Sequence, residues 1–248
     1  MKINLLILLV FVVVSSFGQT PVEKTVTVQL GQKLMLEFDK PEVKITTWDK
    51  KEILIKGTAS INRGENDNAF ELLVTTTGPQ IKIASNIKDK ENLPQRIVIK
   101  KGDTEYFFKA KDFNDPEVQK FLDQNGREYS YISSGVVVEV KLEVFVPRGM
   151  ETSVLSKYGV VEVVGFEAPL TIDSKYGGVD ISVTPATTGQ LTARSRYGEI
   201  LTNLGVHFDQ RGPDKTDKWT EITAKVGTGS RYEIESKYGN VYLRKPKN

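Results

Sequence analysis

Cysteine is absent from this 248-residue sequence, and histidine occurs once, at His207. Without cysteine there is no disulfide framework, so burial of apolar side chains has to stabilise the fold. The same two counts exclude thiolate metal sites, sites with several histidine ligands and Cys/His nucleophile pairs. His207 has no partner motif around it, and we expect it to be solvated. We therefore predict no catalytic residues, no metal ligands and no cofactor-binding residues.

An excess of charge of either sign is also missing. The chain has 34 lysines and arginines against 32 aspartates and glutamates, a formal net charge of +2. Such a balance provides no general attraction to nucleic acid, and no nucleic-acid partner is expected. With 39% hydrophobic and 27% charged residues, the composition is that of a folded protein.

No hydrophobic run is long enough to span a membrane. The longest, Leu5 to Val14, has ten residues, whereas a spanning helix needs about 20. Lys2 precedes this run, and small residues follow it before Gln19, which is typical of a signal peptide over residues 1–18. We therefore predict an exported protein, periplasmic, attached to the cell surface or secreted, with no transmembrane segment in the mature chain. Lipid anchoring is not expected, because it needs a cysteine after the cleavage site.

Alternating apolar and polar residues dominate the chain after this segment. Residues 19–85 are predicted to be an N-terminal region of β-strands, of which Lys33 to Phe38 is one example. Residues 86–135 lack this alternation and are predicted to be an irregular insertion with one short helix. Asp115 would cap that helix and Pro116 would occupy its first position.

Residues 136–248 contain a repeat. The tetrapeptide Ser-cation-Tyr-Gly occurs four times, at 156–159, 174–177, 195–198 and 236–239, with tyrosines 18, 21 and 41 residues apart. Alternating strands flank each copy. A period of roughly 20 residues is typical of stacked repeat architectures. The sequence therefore predicts an all-β protein whose C-terminal part is a parallel β-solenoid, or β-helix-like fold, with residues 220–227 as a degenerate copy.

Some of these segments resemble a known family. The segment Val43 to Ile53 and the strand that ends at Val144-Phe145-Val146-Pro147-Arg148-Gly149, followed by short strands separated by glycines, are similar to the bacterial β-strand-repeat putative adhesins of unknown function. The resemblance spans most of the mature chain and implies an exported β-solenoid without established catalytic residues. The long insertion at 86–135 departs from the family's shortest members.

The tyrosines of the repeat are predicted to form an internal structural ladder, because they share strand phase with buried positions. An exposed aromatic platform for sugars is the alternative. The glycines of the repeat are expected to provide the backbone dihedral angles of a corner. The predicted ladder consists of Tyr158, Tyr176, Tyr197 and Tyr238.

The cations of the repeat fall in the outward phase and are predicted to form a line along one edge. The members of this predicted stripe are Lys157, Lys175, Arg196, Lys225 and Lys237. Two explanations remain open. The cations form local ion pairs with outward carboxylates, namely Glu162, Asp173, Asp180, Glu199 and Glu235, or they recognise a linear polyanion such as an acidic polysaccharide.

The function predicted from the sequence is that of a non-catalytic exported module that interacts with the envelope or a surface. It would be adhesin-like or would bind an acidic glycan or another anionic surface, with an envelope polysaccharide or a protein as its partner. The alternative is a carbohydrate-active enzyme, a polysaccharide lyase or hydrolase, on a β-helix. A groove with converging Asp, Arg and Lys residues favours the enzyme, and smooth faces favour the module.

Overall fold

The computed structural model describes residues 19–126, 128–213 and 218–246. The predicted signal peptide, residues 1–18, lies outside the described residues. Within the described ranges, no helix is long and apolar enough to cross a membrane. The described residues are all-β apart from one α-helix and two short 3₁₀ helices.

Twenty strands form within the described ranges. The first ten are β1 (Thr20–Thr27), β2 (Lys33–Phe38), β3 (Glu42–Trp48), β4 (Glu52–Ile61), β5 (Phe70–Thr77), β6 (Gln80–Ile87), β7 (Arg96–Lys101), β8 (Thr104–Phe108), β9 (Tyr131–Gly135) and β10 (Val138–Pro147). The others are β11 (Thr152–Ser156), β12 (Val161–Val163), β13 (Leu170–Ser174), β14 (Val179–Ser182), β15 (Thr188–Ser195), β16 (Ile200–Thr202), β17 (Asp209–Arg211), β18 (Thr220–Lys225), β19 (Ser230–Ser236) and β20 (Val241–Arg244).

Two large sheets enclose the main core. One has eight strands in the order β1-β4-β10-β3-β12-β14-β20-β16, and the other has nine in the order β17-β18-β15-β19-β13-β11-β2-β6-β5. Apolar residues at every second position point from each sheet into a shared cluster, for example Ile172 and Ile234 from one sheet and Ile45 and Ile181 from the other. The alternation in the sequence therefore corresponds to one buried and one exposed face.

The predicted repeat β-solenoid is wrong. Both large sheets are open and mix parallel with antiparallel pairs: β11, β13 and β19 pair in parallel, whereas β15 with β18 and β10 with β4 pair antiparallel. The strands also do not follow chain order, because β20 lies between β14 and β16. Residues 220–227 are not a degenerate copy of the repeat, because β18 runs antiparallel to its neighbour β15. The spacing of the repeats indicates similar strands but does not determine which strands pair.

The segment between β6 and β10 is more regular than the sequence predicts. Strands β7, β8 and β9 form a separate three-stranded antiparallel sheet. The helix α1 (Pro116–Asn125) lies where it is predicted, and the Glu117 backbone amide donates to the Asp115 carboxylate at its N-terminus. The side chains of Val118 and Leu122 pack with Ile97 and Ile99 in a second apolar cluster. We call residues 96–135 the inserted sheet.

Candidate functional site

Each Ser-cation-Tyr-Gly segment forms a corner where a strand of the nine-stranded sheet leads to one of the eight-stranded sheet. Backbone hydrogen bonds join neighbouring corners: the amide of Lys175 donates to the Ser156 carbonyl and that of Tyr176 to the Lys157 carbonyl, both at 2.8 Å. The amide of Lys237 donates to the Ser174 carbonyl in the same way, at 2.8 Å. The corners are therefore stacked at the spacing of a parallel sheet, about 4.8 Å.

The order of the corners in space differs from their order in the chain. The corner at 236–239 lies between those at 174–177 and 195–198, because β19 pairs with β13 on one side and with β15 on the other. The 41-residue gap between the last two tyrosines therefore reflects an excursion of the chain through β16, β17 and β18.

The serines of the corners are buried, as their strand phase predicts. Ser156, Ser174, Ser195 and Ser236 are at most 4% exposed. The Ser156 hydroxyl donates to the Gly159 carbonyl at 2.9 Å, and the Ser174 hydroxyl donates to the Gly177 carbonyl at 2.7 Å. A short hydroxyl side chain thus satisfies a buried carbonyl at the bend.

The glycines have a different role from the one expected. None of the corner glycines adopts a positive φ. Instead, a Cβ atom at Gly177 would collide with the backbone carbonyl of Gly159, and one at Gly159 would collide with that of Pro41. Glycine is required because adjacent corners approach too closely for any side chain.

The predicted burial of the tyrosines is wrong. Tyr158, Tyr176, Tyr238 and Tyr197 are 44%, 43%, 44% and 58% exposed. Strands β11, β13, β15 and β19 end at the serines, so the alternation of inward and outward residues does not continue across the corner. The tyrosines nevertheless form a ladder on the surface: successive ring centroids are 5.0, 5.1 and 4.9 Å apart, with interplanar angles of 12° to 15°.

The stacking leaves ring edges and hydroxyl groups exposed, because each inner ring is covered on both faces by its neighbours. One end of the column is closed by Lys40, whose Nζ lies 3.9 Å from the centroid of the Tyr158 ring. Burial is the main cause that lowers the pKa of Lys40, and the nearby cations Lys90 and Lys157 lower it further. The column is therefore not a flat platform for sugar rings.

The structure brings four of the five predicted cations together. Lys157, Lys175, Lys237 and Arg196 line a surface groove of about 690 Å³. Each cationic group lies 5.1 to 5.4 Å from the centroid of the tyrosine that follows it in sequence. Lys225 is not part of this row. It lies at the C-terminal end of β18, opposite Gln190 of the antiparallel strand β15, and this end of β18 points away from the corners.

Among the described residues, the carboxylates expected to neutralise this row bind other cations or make no ion pair. Glu162 binds Lys44, Asp180 binds Arg244, and Glu235 binds Arg194. Of the groove cations, Lys157 is bound to Asp39 at 3.4 Å, and this contact raises the pKa of Lys157. In the part of the chain that the structure describes, Lys175, Arg196 and Lys237 make no ion pair. Local pairing therefore does not account for the row.

Carboxylates also line the groove, in a row beside the cations. Asp173 and Glu235 are partners in the parallel pair of β13 and β19, so their side chains leave the same face of the sheet. Burial is the main cause that raises the pKa of Glu235; Asp173 raises it further, and Arg194 opposes the shift. Spacing along the sequence does not indicate this pair, because only the pairing of strands distant in the chain creates it.

Other groove residues from outside the four repeats include Asp39 and Trp219. Asp39 belongs to the segment that joins β2 to β3, and the register of β2 with β11 places Phe38 opposite Ser156. Residues 38–41 therefore form an additional corner without the repeat sequence, which no sequence signal marks. Trp219, just before β18, lines the groove near Arg196. No group of three or more His, Cys, Asp or Glu side chains suited to a metal is found in the described ranges.

Comparisons with known proteins yield no family model and no curated protein that matches this chain. Among solved structures, a "putative cell adhesion protein" from Clostridium sporogenes is 11% identical, with a TM-score of 0.48, over 92% of this chain and 100% of that one. A "putative adhesin" from Bacteroides fragilis is 8% identical, with a TM-score of 0.21, over 92% and 98%. A "putative lipid binding protein" from Parabacteroides distasonis is 10% identical, with a TM-score of 0.21, over 92% and 97%.

Two of these neighbours carry adhesin or adhesion names. Identities of 8% to 11% and TM-scores below 0.5 do not establish membership of that family or a function. The function has to be argued from the groove and the corners.

Proposed function

We propose that this protein is a non-catalytic module of the cell envelope or surface that binds a linear polyanion, such as an acidic polysaccharide, along the groove. The observation that carries the proposal is the row of Lys175, Lys237 and Arg196, three cations on adjacent strands that face one groove without an ion pair among the described residues. Like charges at this spacing repel one another, and a bound polyanion would offset that repulsion.

The geometry of the corners supports an extended ligand. The cations of the row repeat once per strand, and the tyrosine rings beside them are 4.9 to 5.1 Å apart. Backbone hydrogen bonds hold that spacing, so little ordering of the protein is needed when a repeating ligand binds.

A second candidate, a carbohydrate-active enzyme, is favoured by one observation, the neighbouring carboxylates Asp173 and Glu235 with a raised pKa at Glu235. Glycoside hydrolysis uses such a pair, with one carboxylate on each side of the bond that is cleaved. Here both carboxylates leave one face of one sheet, and Glu235 binds Arg194. This arrangement favours binding over catalysis.

The test is binding of polygalacturonate and dextran sulfate at low ionic strength. In one variant, Lys157, Lys175, Arg196 and Lys237 are changed together to glutamine. A matched control changes Lys24, Lys51, Lys111 and Lys120, exposed cations that do not line the groove. The net charge then changes equally in both. We expect the groove variant to bind at least about tenfold more weakly, with a reduced dependence on salt, and the control to bind nearly as the wild type does.

Absence of binding by the wild-type protein at low salt would overturn the proposal, as would equal losses in the two variants. Release of shorter products from either polymer, abolished by Glu235→Gln, would establish the enzyme instead.

A further inference from the structure

The four corners are not equivalent, because three carry lysine and one carries arginine. We infer that Arg196 is the seat of a planar carboxylate and that the polyanion is a uronate-containing glycan. This inference rests on the proposed function of the groove and specifies its ligand.

The guanidinium group of Arg196 has unused hydrogen-bonding capacity. Its Nε atom is buried and has no hydrogen-bond acceptor, and Arg196 makes no ion pair with any other described residue. A buried donor without an acceptor costs free energy, more so when it is charged. Lys175 and Lys237, the neighbouring groove cations, have no such buried orphan atom among the described residues.

Arg196 lies at one end of the cation row. The amide of Tyr197 donates to the Lys237 carbonyl at 3.0 Å, and this hydrogen bond holds the corner of Arg196 against the corner at 236–239. Trp219 lines the same groove. The guanidinium carbon of Arg194 lies 5.1 Å from the Trp219 ring centroid, and Arg194 is itself bound to Glu221 and Glu235. The indole of Trp219 therefore packs against an arginine that two ion pairs hold in place, and it lines the same groove as Arg196.

This combination of groups suits a sugar acid. The planar guanidinium forms two parallel hydrogen bonds with a carboxylate, which the compact ammonium group of lysine does not do. An aromatic side chain next to the cation offers apolar surface to the C–H groups of a pyranose ring. The carboxylates Asp173 and Glu235, in the adjacent row, are acceptors for sugar hydroxyl groups. A sulfated or phosphorylated chain would make less use of the planar fork.

Trp219 provides a direct probe, since the chain contains only one other tryptophan, Trp48. Trp48 lies against Phe145, and its indole donates to the Glu52 carbonyl. In a Trp48→Phe protein, fluorescence reports on Trp219 alone. We expect saturable quenching or a spectral shift with oligogalacturonate, and at least about tenfold weaker binding of the same oligosaccharide after methyl esterification, which removes the carboxylate charge. Calorimetry on the wild-type protein checks the affinities without that substitution.

Arg196→Lys keeps the charge and removes the fork, and Lys175→Arg is the matched control. We expect Arg196→Lys to weaken oligogalacturonate binding about tenfold and to leave dextran sulfate binding within about twofold of wild type, with Lys175→Arg close to wild type for both. Equal affinity of Arg196→Lys and wild type for oligogalacturonate would overturn the inference. So would equal affinity for the acid and its methyl ester. If dextran sulfate binds through the groove cations without any preference for uronate, the proposed function stands and this inference falls.

Discussion

The strands that lead into the corners, β11, β13, β15 and β19, are called the corner stack here. The corner stack and the inserted sheet bury their apolar side chains in different ways. In the stack, each strand contributes similar residues at the same register, so Ile172 lies beside Ile234 of the next strand and joins one large cluster. The inserted sheet buries a small set of different side chains against one helix, α1. Repetition makes every strand of the stack depend on its neighbours, whereas the inserted sheet has an apolar cluster of its own.

The largest expected loss of stability comes from truncating a buried side chain, and it distinguishes the main apolar cluster from that of the inserted sheet. Ile172→Ala and Ile99→Ala each remove a side chain that is at most 1% exposed, and each should cost about 2–5 kcal/mol. We expect Ile172→Ala to lower the protection of the whole molecule in hydrogen exchange. Ile99→Ala should expose the inserted sheet while the corner amides stay protected. Loss of protection at the corners in both variants would mean that the two regions unfold as one unit.

Glycine provides the next comparison. Gly177→Ala should cost about 3 kcal/mol, because the new Cβ meets the backbone carbonyl of Gly159, which has no room to move. Gly102, in the hairpin of the inserted sheet, has a φ of +58° with open space around it, so Gly102→Ala should cost only about 1 kcal/mol. Chemical denaturation of both variants measures the difference. The opposite ranking would show that corner glycines serve dihedral freedom rather than close packing.

The tyrosine column should contribute less to the free energy of unfolding than a buried aromatic cluster would. Tyr176 stacks on two neighbours and Tyr197 on one. At about 1 kcal/mol per stacked pair, Tyr176→Ala should cost about 2 kcal/mol and Tyr197→Ala about 1 kcal/mol. Thermal or urea unfolding tests this ranking. A loss above about 4 kcal/mol at Tyr176 would mean that the rings are buried in solution.

The smallest effect concerns pH, and the two regions should respond in opposite directions. The hydrogen bond from Lys100 is the main cause that lowers the pKa of Glu105 in the inserted sheet. Its stabilisation is therefore present at neutral pH and is lost as the pH falls below the ordinary value of 4.5. Burial raises the pKa of Glu235, so the folded state favours its protonated form. The contribution of Glu235 to the free energy of unfolding is therefore greatest below pH 4.5 and is lost as the pH rises through the folded-state pKa.

Urea unfolding at pH 3 and pH 7 measures both contributions. The quantity to compare is the free energy of unfolding of each variant minus that of the wild type. From pH 3 to pH 7 this difference should rise for Glu235→Gln and fall for Glu105→Gln. Changes of the same sign in both variants would contradict the assigned directions.

The sequence predicts the strands of this protein well where one face is buried. Lys33–Phe38 is a strand with the predicted bounds, and the helix after Asp115 forms as its cap and proline indicate. The inserted sheet is not predicted as a sheet. Its strands β7, β8 and β9 bury residues from both faces or expose apolar ones, as Val98 and Ile132 do, which weakens the alternation that marks a strand.

For the candidate site, the sequence identifies the four tetrapeptides and hence Lys157, Lys175, Arg196 and Lys237. It does not identify Asp39 or Trp219, which reach the groove from segments without the repeat. It also misplaces Lys225 and the tyrosines. In each case the error has the same origin: strand phase is a local property, and it does not determine strand direction or the path of the chain around a corner.

The sequence by itself determined the all-β character of the protein, which strand residues are buried, and the presence of four similar corners, because side-chain alternation and repeated residues are local features. Only the tertiary structure decided that β20 lies between β14 and β16, that Asp173 lies beside Glu235, and that three cations without an ion pair among the described residues share a groove. The physical reason is that many strand orders satisfy the same alternation. Which one forms depends on backbone hydrogen bonds and packing between residues that are distant in the chain.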